Sequence, residues 1–251
     1  MEEQFLAFDW QGYIGHFRKL DTNSSSLSYS FPPPTVISGM LAGLCGMERD
    51  QYYTIFSPDN IQFGIQIRQR TRKIMQTVNY MFVKSKNELN LSAPEKHTQI
   101  PIELLVADIF PRTYLNFRIF LKITEPSLFD VLHKFLSENV KRYLPYLGSA
   151  PFQSWLDMLD IQSVSVDSDA KSVRSVVPAK ILKNANMFFQ NEQKSYALFF
   201  EHMRRFFHNE REPGEMIDLV WEQNHGEISS QFSTLVYRFE FDDESTNVIF
   251  F

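Results

Sequence analysis

The most regular stretch of this chain is residues 115–123, where Leu115, Phe117, Ile119, Leu121 and Ile123 alternate with polar or mixed positions. Tyr114, Asn116, Arg118, Phe120 and Lys122 fall on the other side. A two-residue period sends successive side chains to opposite faces of a sheet, so the segment predicts a strand with one buried face. Ile61, Phe63, Ile65 and Ile67 repeat the pattern against Gln62, Gly64, Gln66 and Arg68. Continued further, that strand would carry Arg68, Arg70 and Arg72 on one face. Weaker signals predict strands at residues 4–10, a returning strand at 75–83, an extended segment at 102–109 closed by Pro111, a return to the sheet within 155–166, and a late strand at Leu235, Tyr237, Phe239 and Phe241.

Three other stretches carry apolar residues at helical spacing. Val36, Ile37, Met40, Leu41 and Leu44 follow three prolines and Thr35, which predicts a helix capped by Thr35 and stopped at Gly46. Gly39 and Gly43 share one face of it, each less favourable than alanine by up to about 1 kcal/mol, which predicts that another backbone comes close. Pro126 opens a second helix with Leu128, Leu132, Phe135, Leu136 and Val140 in one stripe, Lys141 and Arg142 at its C-terminal dipole, and Pro145 beyond. Phe199, Phe200, Met203, Phe206 and Phe207 predict a third helix over 196–208. Between these elements, residues 20–30 read as an exposed mobile connection, 84–97 as a polar loop and 146–149 as a compact turn. Residues 12–46 hold five of the nine glycines; 12–18 is expected to loop or bulge, with something approaching its main chain.

The order strand, helix, strand, strand, helix, strand predicts an α+β fold. It is that of a ferredoxin-like, RRM-type domain over 1–165, with 166–251 as a β-rich C-terminal extension packed on the same body. With 251 residues, 43% hydrophobic and 15% aromatic, the chain is large enough for one sizeable core. It shows neither an apolar run of the ~20 residues a membrane span needs nor a basic leader, so a cytoplasmic protein is expected. The single cysteine, Cys45, sits in an apolar helical pattern and excludes an internal disulfide or a multi-cysteine zinc site.

Charge changes the picture more than composition does. The net charge of −5 and pI near 5.7 argue against nucleic-acid binding over the whole surface. Yet between Asn60 and Asn87 there is no acidic residue, while Arg68, Arg70, Arg72, Lys73, Lys84 and Lys86 supply six positive charges. Glu240, Asp242, Asp243 and Glu244 gather at the other end. The distribution fits a subunit that grips a polyanion at one place and meets protein partners elsewhere.

The second face of strand 114–122 offers aromatic stacking surfaces in Tyr114 and Phe120, an amide in Asn116 that can read a base edge, and Arg118 for phosphate. The same pattern fits a solvated face or one covered by the C-terminal region. The six histidines form no metal set, and no cofactor motif is present. His16, flanked by Gly15, Phe17 and Arg18, either contacts a ligand or caps a turn. Lys96 and His97, with Tyr52 or Tyr53 as proton donor, are the residue types that metal-free RNA cleavage requires: a base for the 2′-hydroxyl and a cation for the phosphorane.

Gly-Tyr-Ile-Gly-His-Phe-Arg at 12–18, Ser-Tyr-Ser-Phe-Pro-Pro-Pro-Thr-Val-Ile-Ser-Gly-Met-Leu-Ala-Gly-Leu-Cys-Gly at 28–46, Tyr52-Tyr53, and Pro-Tyr-Leu-Gly-Ser at 145–149 resemble the CRISPR-associated Cas five family. These are RAMP-superfamily subunits of type I Cascade complexes, and the pattern is type I-B-like. The resemblance covers about the first 55 residues closely and fades through the C-terminal third. It implies a ferredoxin-like body with a protruding hairpin thumb at about 68–98. Such a subunit holds the 5′ handle of the CRISPR RNA beside the backbone and large subunits and is linked to target DNA indirectly. By position, Gly12, Tyr13, Gly15, His16, Phe17, Arg18, Gly148 and Ser149 would approach the handle, with the basic residues from Arg68 to Lys86 on the thumb. The glycine-rich loop of RNA-processing relatives is reduced here to Leu-Gly-Ser. Some type I-C members are themselves CRISPR RNA endonucleases using a tyrosine, a lysine and a histidine. Tyr52, Lys96 and His97 therefore leave a second expectation open, a metal-independent endoribonuclease acting on repeat RNA.

Overall fold

The computed structural model describes residues 3–20, 22, 25–81, 97–138, 140–182, 195–224 and 226–251. The chain runs β1 (Gln4–Gly12), β2 (Ile14–Gly15), α1 (Pro34–Cys45), β3 (Ile61–Ile67), β4 (Thr71–Met81), β5 (His97–Ala107), β6 (Leu115–Ile123) and α2 (Pro126–Ser137). It continues through β7 (Trp155–Met158), β8 (Ser163–Val166), β9 (Ser172–Val173), β10 (Val177–Pro178), the short α3 (Ala179–Leu182) and β11 (Leu198–Arg204). The last elements are β12 (Met216–Glu222), β13 (Ile228–Ser229), β14 (Tyr237–Glu240) and β15 (Ser245–Val248). The fold is α+β with antiparallel pairing between its strands.

The central sheet has the order β3-β6-β1-β7. The apolar sides of its strands explain why β6 and β1 lie inside it. Leu115, Phe117, Ile119, Leu121 and Ile123 share one buried cluster with Leu6, Phe8 and Trp10, and with Ile37, Leu41 and Leu44 of α1 and Leu128, Leu132 and Leu136 of α2. Each such side chain contributes about 1.5–3 kcal/mol when removed from water, so this face and the two helices form one unit. α1 begins at Pro34 with Pro33 as N-cap and no side-chain cap; Thr35, expected as the cap, lies inside the helix. The proline ring presets the first helical φ and lacks the N–H that would need capping. Gly46 ends the helix in the left-handed conformation at φ 74°.

Several expectations are corrected. α2 stops at Ser137, so Val140, Lys141 and Arg142 lie past it, and Lys134 is the basic residue of its last turn. Arg142 folds back instead, its N–H donating to Leu44 O at 3.1 Å. Among the described residues no other backbone comes within 4 Å of a Cβ built at Gly39 or Gly43. A Cβ at Gly39 would meet the Tyr52 hydroxyl at 3.1 Å, and one at Gly43 would meet nothing. Residues 12–18 are not simply a loop, because β1 runs to Gly12 and β2 pairs with β5. The connection 20–30, expected to be exposed, buries Ser28, Tyr29 and Ser30. Ser28 Oγ accepts from Phe17 N at 3.0 Å, and Glu201 accepts from Ser30 Oγ at 2.8 Å.

β4 pairs with β5 along its whole length, from Thr71↔Ala107 to Met81↔His97, as a long hairpin, and residues 82–96 lie outside the described residues. Lys84, Lys86 and Lys96 fall there. The chain breaks strand geometry at 68–70, so Arg68, Arg70 and Arg72 do not share one strand face. The segment 196–208 is not a helix. β11 pairs with β12 in seven-residue register, with Glu201 and Met203 inward and Phe200 69% exposed. The aromatic residues that mimic helical spacing are also good strand formers. The alternating Ile217, Leu219 and Trp221 of β12 supply the pairing edge that decides the outcome.

Candidate nucleic-acid interface

The second face of the central sheet carries Phe5, Ala7, Asp9 and Gln11 from β1, Gly64 and Gln66 from β3, Asn116, Arg118, Phe120 and Lys122 from β6, and Trp155 and Asp157 from β7. Of the alternatives for this face, cover by the C-terminal region holds over half of it. The sheet β8-β14-β15 lies on the apolar half. Phe120 is fully buried, its ring 4.8 Å from Phe239, and Phe5 packs edge-on to Phe239 at 5.6 Å. Val248 occupies the space a Cβ at Gly64 would fill, which explains a glycine in mid-strand. Lys122 Nζ donates to Glu3 Oε1 at 3.2 Å.

An ionic chain, buried at Asp9 and Arg118 and half-buried at Glu244 and Arg68, separates this half from the rest. Arg118 Nε and Nη2 donate to Asp9 Oδ1 and Oδ2 at 2.7 and 3.1 Å, and Nη1 donates to Glu244. Glu244 also accepts from Arg68 Nη1 at 2.8 Å. Burial works to raise the Glu244 carboxyl, but the bonds from Arg68 and Arg118 outweigh it and hold the group below the ordinary glutamate value. Burial likewise opposes the charge on Arg118, and Asp9 and Glu244 more than restore it. Both guanidinium groups are thus engaged by carboxylates. Glu244, expected on a partner-facing acidic end, is used internally.

The other half of the face is polar and opens to solvent at its aromatic end, while Gln11 and Gln66 are buried. Tyr13, Tyr114 and Trp155 form a ring cluster with centroids 6.3, 5.9 and 5.4 Å apart, and Tyr13 and Tyr114 remain 52% and 39% exposed. Trp155 Nε1 donates to Gln11 Oε1 at 2.8 Å, and Gln11 Nε2 donates to Asp157 Oδ2 at 3.2 Å, fixing the tryptophan against the sheet. Gln11 stands opposite Asn116 in register. Asn116 in turn lines a cavity of about 240 Å³ with Gln66, Ile67, Arg68, Gln69, Arg174 and Gly226. Platforms for stacking, amides and cations are therefore neighbours here, as single-stranded RNA recognition requires.

The remaining expected site residues are placed as follows. What approaches Gly12 and Gly15 is the chain's own 146–149 turn. A Cβ at Gly12 would sit 2.7 Å from Leu147 Cδ1, one at Gly148 (φ 83°) would collide with His16 O, and His16 N donates to Leu147 O at 2.9 Å. Ser149 closes that turn by accepting from Phe152 N. Phe17 is buried against Trp10 and Phe117. His16 is buried too. Its Nδ1 lies 2.8 Å from Glu103 O, which can only accept, so Nε2 accepts from Ser26 Oγ at 2.9 Å. Burial lowers its pKa and keeps it neutral. Arg18 is exposed. So are Arg70 and Arg72, at the base of the hairpin, where Arg72 Nε donates to Asp108 O at 3.1 Å. Lys73 is exposed as well, but its ammonium is engaged, donating to Ser28 O at 2.6 Å with Glu103 at 3.2 Å.

Tyr52 packs on α1, and burial pushes its hydroxyl up to about 12. It lines a separate cavity of about 920 Å³ along the glycine face of that helix. Cys45 is pushed up to about 11 by burial. His97 opens β5, and Lys96 precedes the described residues of that strand. The sequence reading missed Gln11, Gln66, Gln69, Trp155 and Arg174. Gln66 alone carried a signal, as the one polar position of β3 that aligns with Asn116 and Arg118 once strand order is known.

No family model and no curated protein matches the chain. Among solved structures, a chain of a CRISPR RNA-guided surveillance complex is similar at 13% identity over 92% of both chains, with a TM-score of 0.51. A chain of the Type III-B Cmr-beta complex bound to cognate target RNA and AMPPnP is 11% identical over 90% of this chain and 86% of that one, with a TM-score of 0.49. A CRISPR-associated protein is 12% identical over 91% and 93%, with a TM-score of 0.40. At such identities the likeness is one of fold, and the fold is shared with a chain of the surveillance complex over nearly its whole length.

Proposed function

We propose that this chain is a non-catalytic RNA-binding subunit of a CRISPR interference complex that holds the 5′ handle of the CRISPR RNA. The observation that carries the reading is the open half of the central sheet. There the Tyr13–Tyr114–Trp155 cluster adjoins a polar pocket rimmed by Arg174, an exposed arginine outside the Glu244 clamp, on a chain whose net charge is negative. An acidic protein that concentrates stacking rings and cations at one sheet end is built for local rather than general contact with a polyanion. The finer reading follows the sequence resemblance: a type I-B-like Cas five subunit with a ferredoxin-like body whose β4–β5 hairpin is the thumb, seated beside the backbone and large subunits. The strand order β3-β6-β1-β7 with both helices on one face supports that body.

The test is a filter-binding titration of handle RNA with the wild type and with a Tyr13→Ala/Tyr114→Ala/Trp155→Ala variant. Stacking contributes about 1–3 kcal/mol per base, so affinity should fall by at least about tenfold. Equal affinity in a variant that remains folded would remove this face from the reading.

A further inference from the structure

The twelve residues of α1 include no charged side chain on any face. Ile37, Leu41 and Leu44 explain one side, because they are buried in the core. A surface helix ordinarily turns charged residues toward solvent on its other side, and a helix apolar all round is covered all round. Here the other side carries Val36, Gly39, Met40 and Gly43 at helical spacing, all half-buried, and they line the cavity of about 920 Å³. The opposite wall of that groove comes from residues 143–148, where Tyr143 and Tyr146 are 66% and 45% exposed and Leu144, between them in sequence, is 73% exposed. Contiguous exposed apolar surface of this kind marks an interaction site.

The lining restricts what can cover it. A nucleic acid would find no side-chain amide there to read a base edge and would meet the carboxylate of Glu48, while Arg49 and Arg211 both lie on Asp50. The unengaged cation is Arg142, whose side chain lies against Gly46 at the C-terminal end of α1; it is exposed, and no carboxylate among the described residues pairs with it. Valine and methionine side chains suit an apolar protein surface instead, methionine being able to repack around its partner. The backbone groups of α1 are bonded within the helix, so an extended segment in the groove would leave its own N–H and C=O groups unpaired, whereas a helix satisfies them internally. Gly39 and Gly43, about 6 Å apart along the axis, leave a floor on which such a helix can approach closely, and a Cβ at Gly43 would meet nothing within 4 Å.

We propose that this groove seats an apolar helix of a partner protein subunit, packed lengthwise along the outer side of α1, with a carboxylate of that helix on Arg142. The inference rests on the reading above of the chain as a subunit of a larger complex. It adds a protein-docking surface formed by α1 and residues 143–148, separate from the aromatic sheet end.

The experiment assembles the full chain with CRISPR RNA and with the large and backbone subunits of its complex, and reads association by sedimentation velocity. Gly43→Leu puts bulk into open space and replaces a poor helix former, so the isolated chain should melt no lower than the wild type and bind handle RNA with unchanged affinity. Its association with one of the two subunits should fall by at least about tenfold, because the seat of the incoming helix is overpacked. Arg142→Glu, at an exposed side chain, should weaken the same association and keeps the test open if Gly43→Leu fails to fold. With p-benzoylphenylalanine in place of Tyr146, irradiation should cross-link the chain to an apolar helical segment of that subunit. A cross-link to RNA, to a second copy of this chain or to nothing overturns the docking groove and leaves the RNA-binding reading standing. So does association that neither substitution changes, or a loss of RNA affinity in Gly43→Leu. Failure of the wild type to associate with either subunit overturns both.

Discussion

The two halves of one sheet face differ in a single respect, which residues β1, β3 and β6 present there, and that difference decides whether the face is core or surface. In the half with Phe5, Ala7, Gly64 and Phe120 the side chains are apolar or absent, and β14 and β15 close over them with Tyr237, Phe239 and Val248. In the half with Gln11, Gln66, Asn116 and Trp155 they are amides and an anchored aromatic ring, and the C-terminal sheet stops short. The boundary is the Asp9–Arg118–Glu244–Arg68 chain. Burying charge is costly unless each member is paired, and here it is. Arginines on a sheet face are therefore not by themselves a binding surface. Arg118 and Arg68 hold the covering sheet by its Glu244, and the open half beyond them is left for a ligand.

The comparison is broken most forcefully from the covered side. Phe239→Ala removes the ring that seals Phe120 and Phe5 and should destabilise the fold by about 3–5 kcal/mol in urea denaturation. The RNA affinity of the molecules that remain folded should not change. A smaller effect is expected at the boundary. Glu244→Gln should lower stability by about 1.5–3 kcal/mol at neutral pH, since hydrogen bonds to two charged arginines are weakened. Because the carboxyl is held below its ordinary value of 4.5, its contribution is complete above that pH and is lost as pH falls through the lower folded value. The wild type should therefore lose stability on acidification below about pH 4.5 more steeply than the variant, and parallel curves would refute the clamp.

On the open side, Tyr114→Ala should weaken RNA binding by about 1–3 kcal/mol while thermal unfolding stays close to that of the wild type, the reverse of the Phe239→Ala result. The smallest expected effect is at the base of the hairpin. Arg70→Ala/Arg72→Ala should reduce the salt dependence of RNA binding by about 0.7 in log–log slope for each phosphate left without its cation, with no change in stability. An unchanged slope would confine the interface to the sheet end.

The elements that the sequence made legible are those whose identity is local. β3 and β6 follow from strict alternation, α1 from its prolines and the left-handed Gly46, and α2 from Pro126 and its leucine stripe. What misled was pattern shared by two structures. Phe199, Phe200, Met203, Phe206 and Phe207 satisfy helical spacing, but pairing with β12 makes the segment 198–204 a strand. The glycines at 12 and 15 did mark a close backbone approach, yet the approaching group is Leu147 of the same chain. Of the candidate site, Tyr114 and Asn116 were legible as residue types on one strand face, Arg68 as part of the basic stretch, and Tyr13 through the family resemblance alone. Trp155 and Arg174 were not, because they arrive from distant segments and only register brings them in.

By itself the sequence determined that this chain has a two-faced sheet with one wholly apolar side, two helices to cover it, and a basic stretch within an acidic whole. Periodicity and local charge are sufficient for that, since they depend on neighbours along the chain. Only the tertiary structure decided what lies on the second face. Whether Arg118 meets an RNA phosphate or Glu244, and whether Phe120 stacks a base or Phe239, depends on where a sheet more than a hundred residues later comes to rest. Its position follows from the apolar area it can bury there, which β1, β3 and β6 present together and no single strand's pattern specifies.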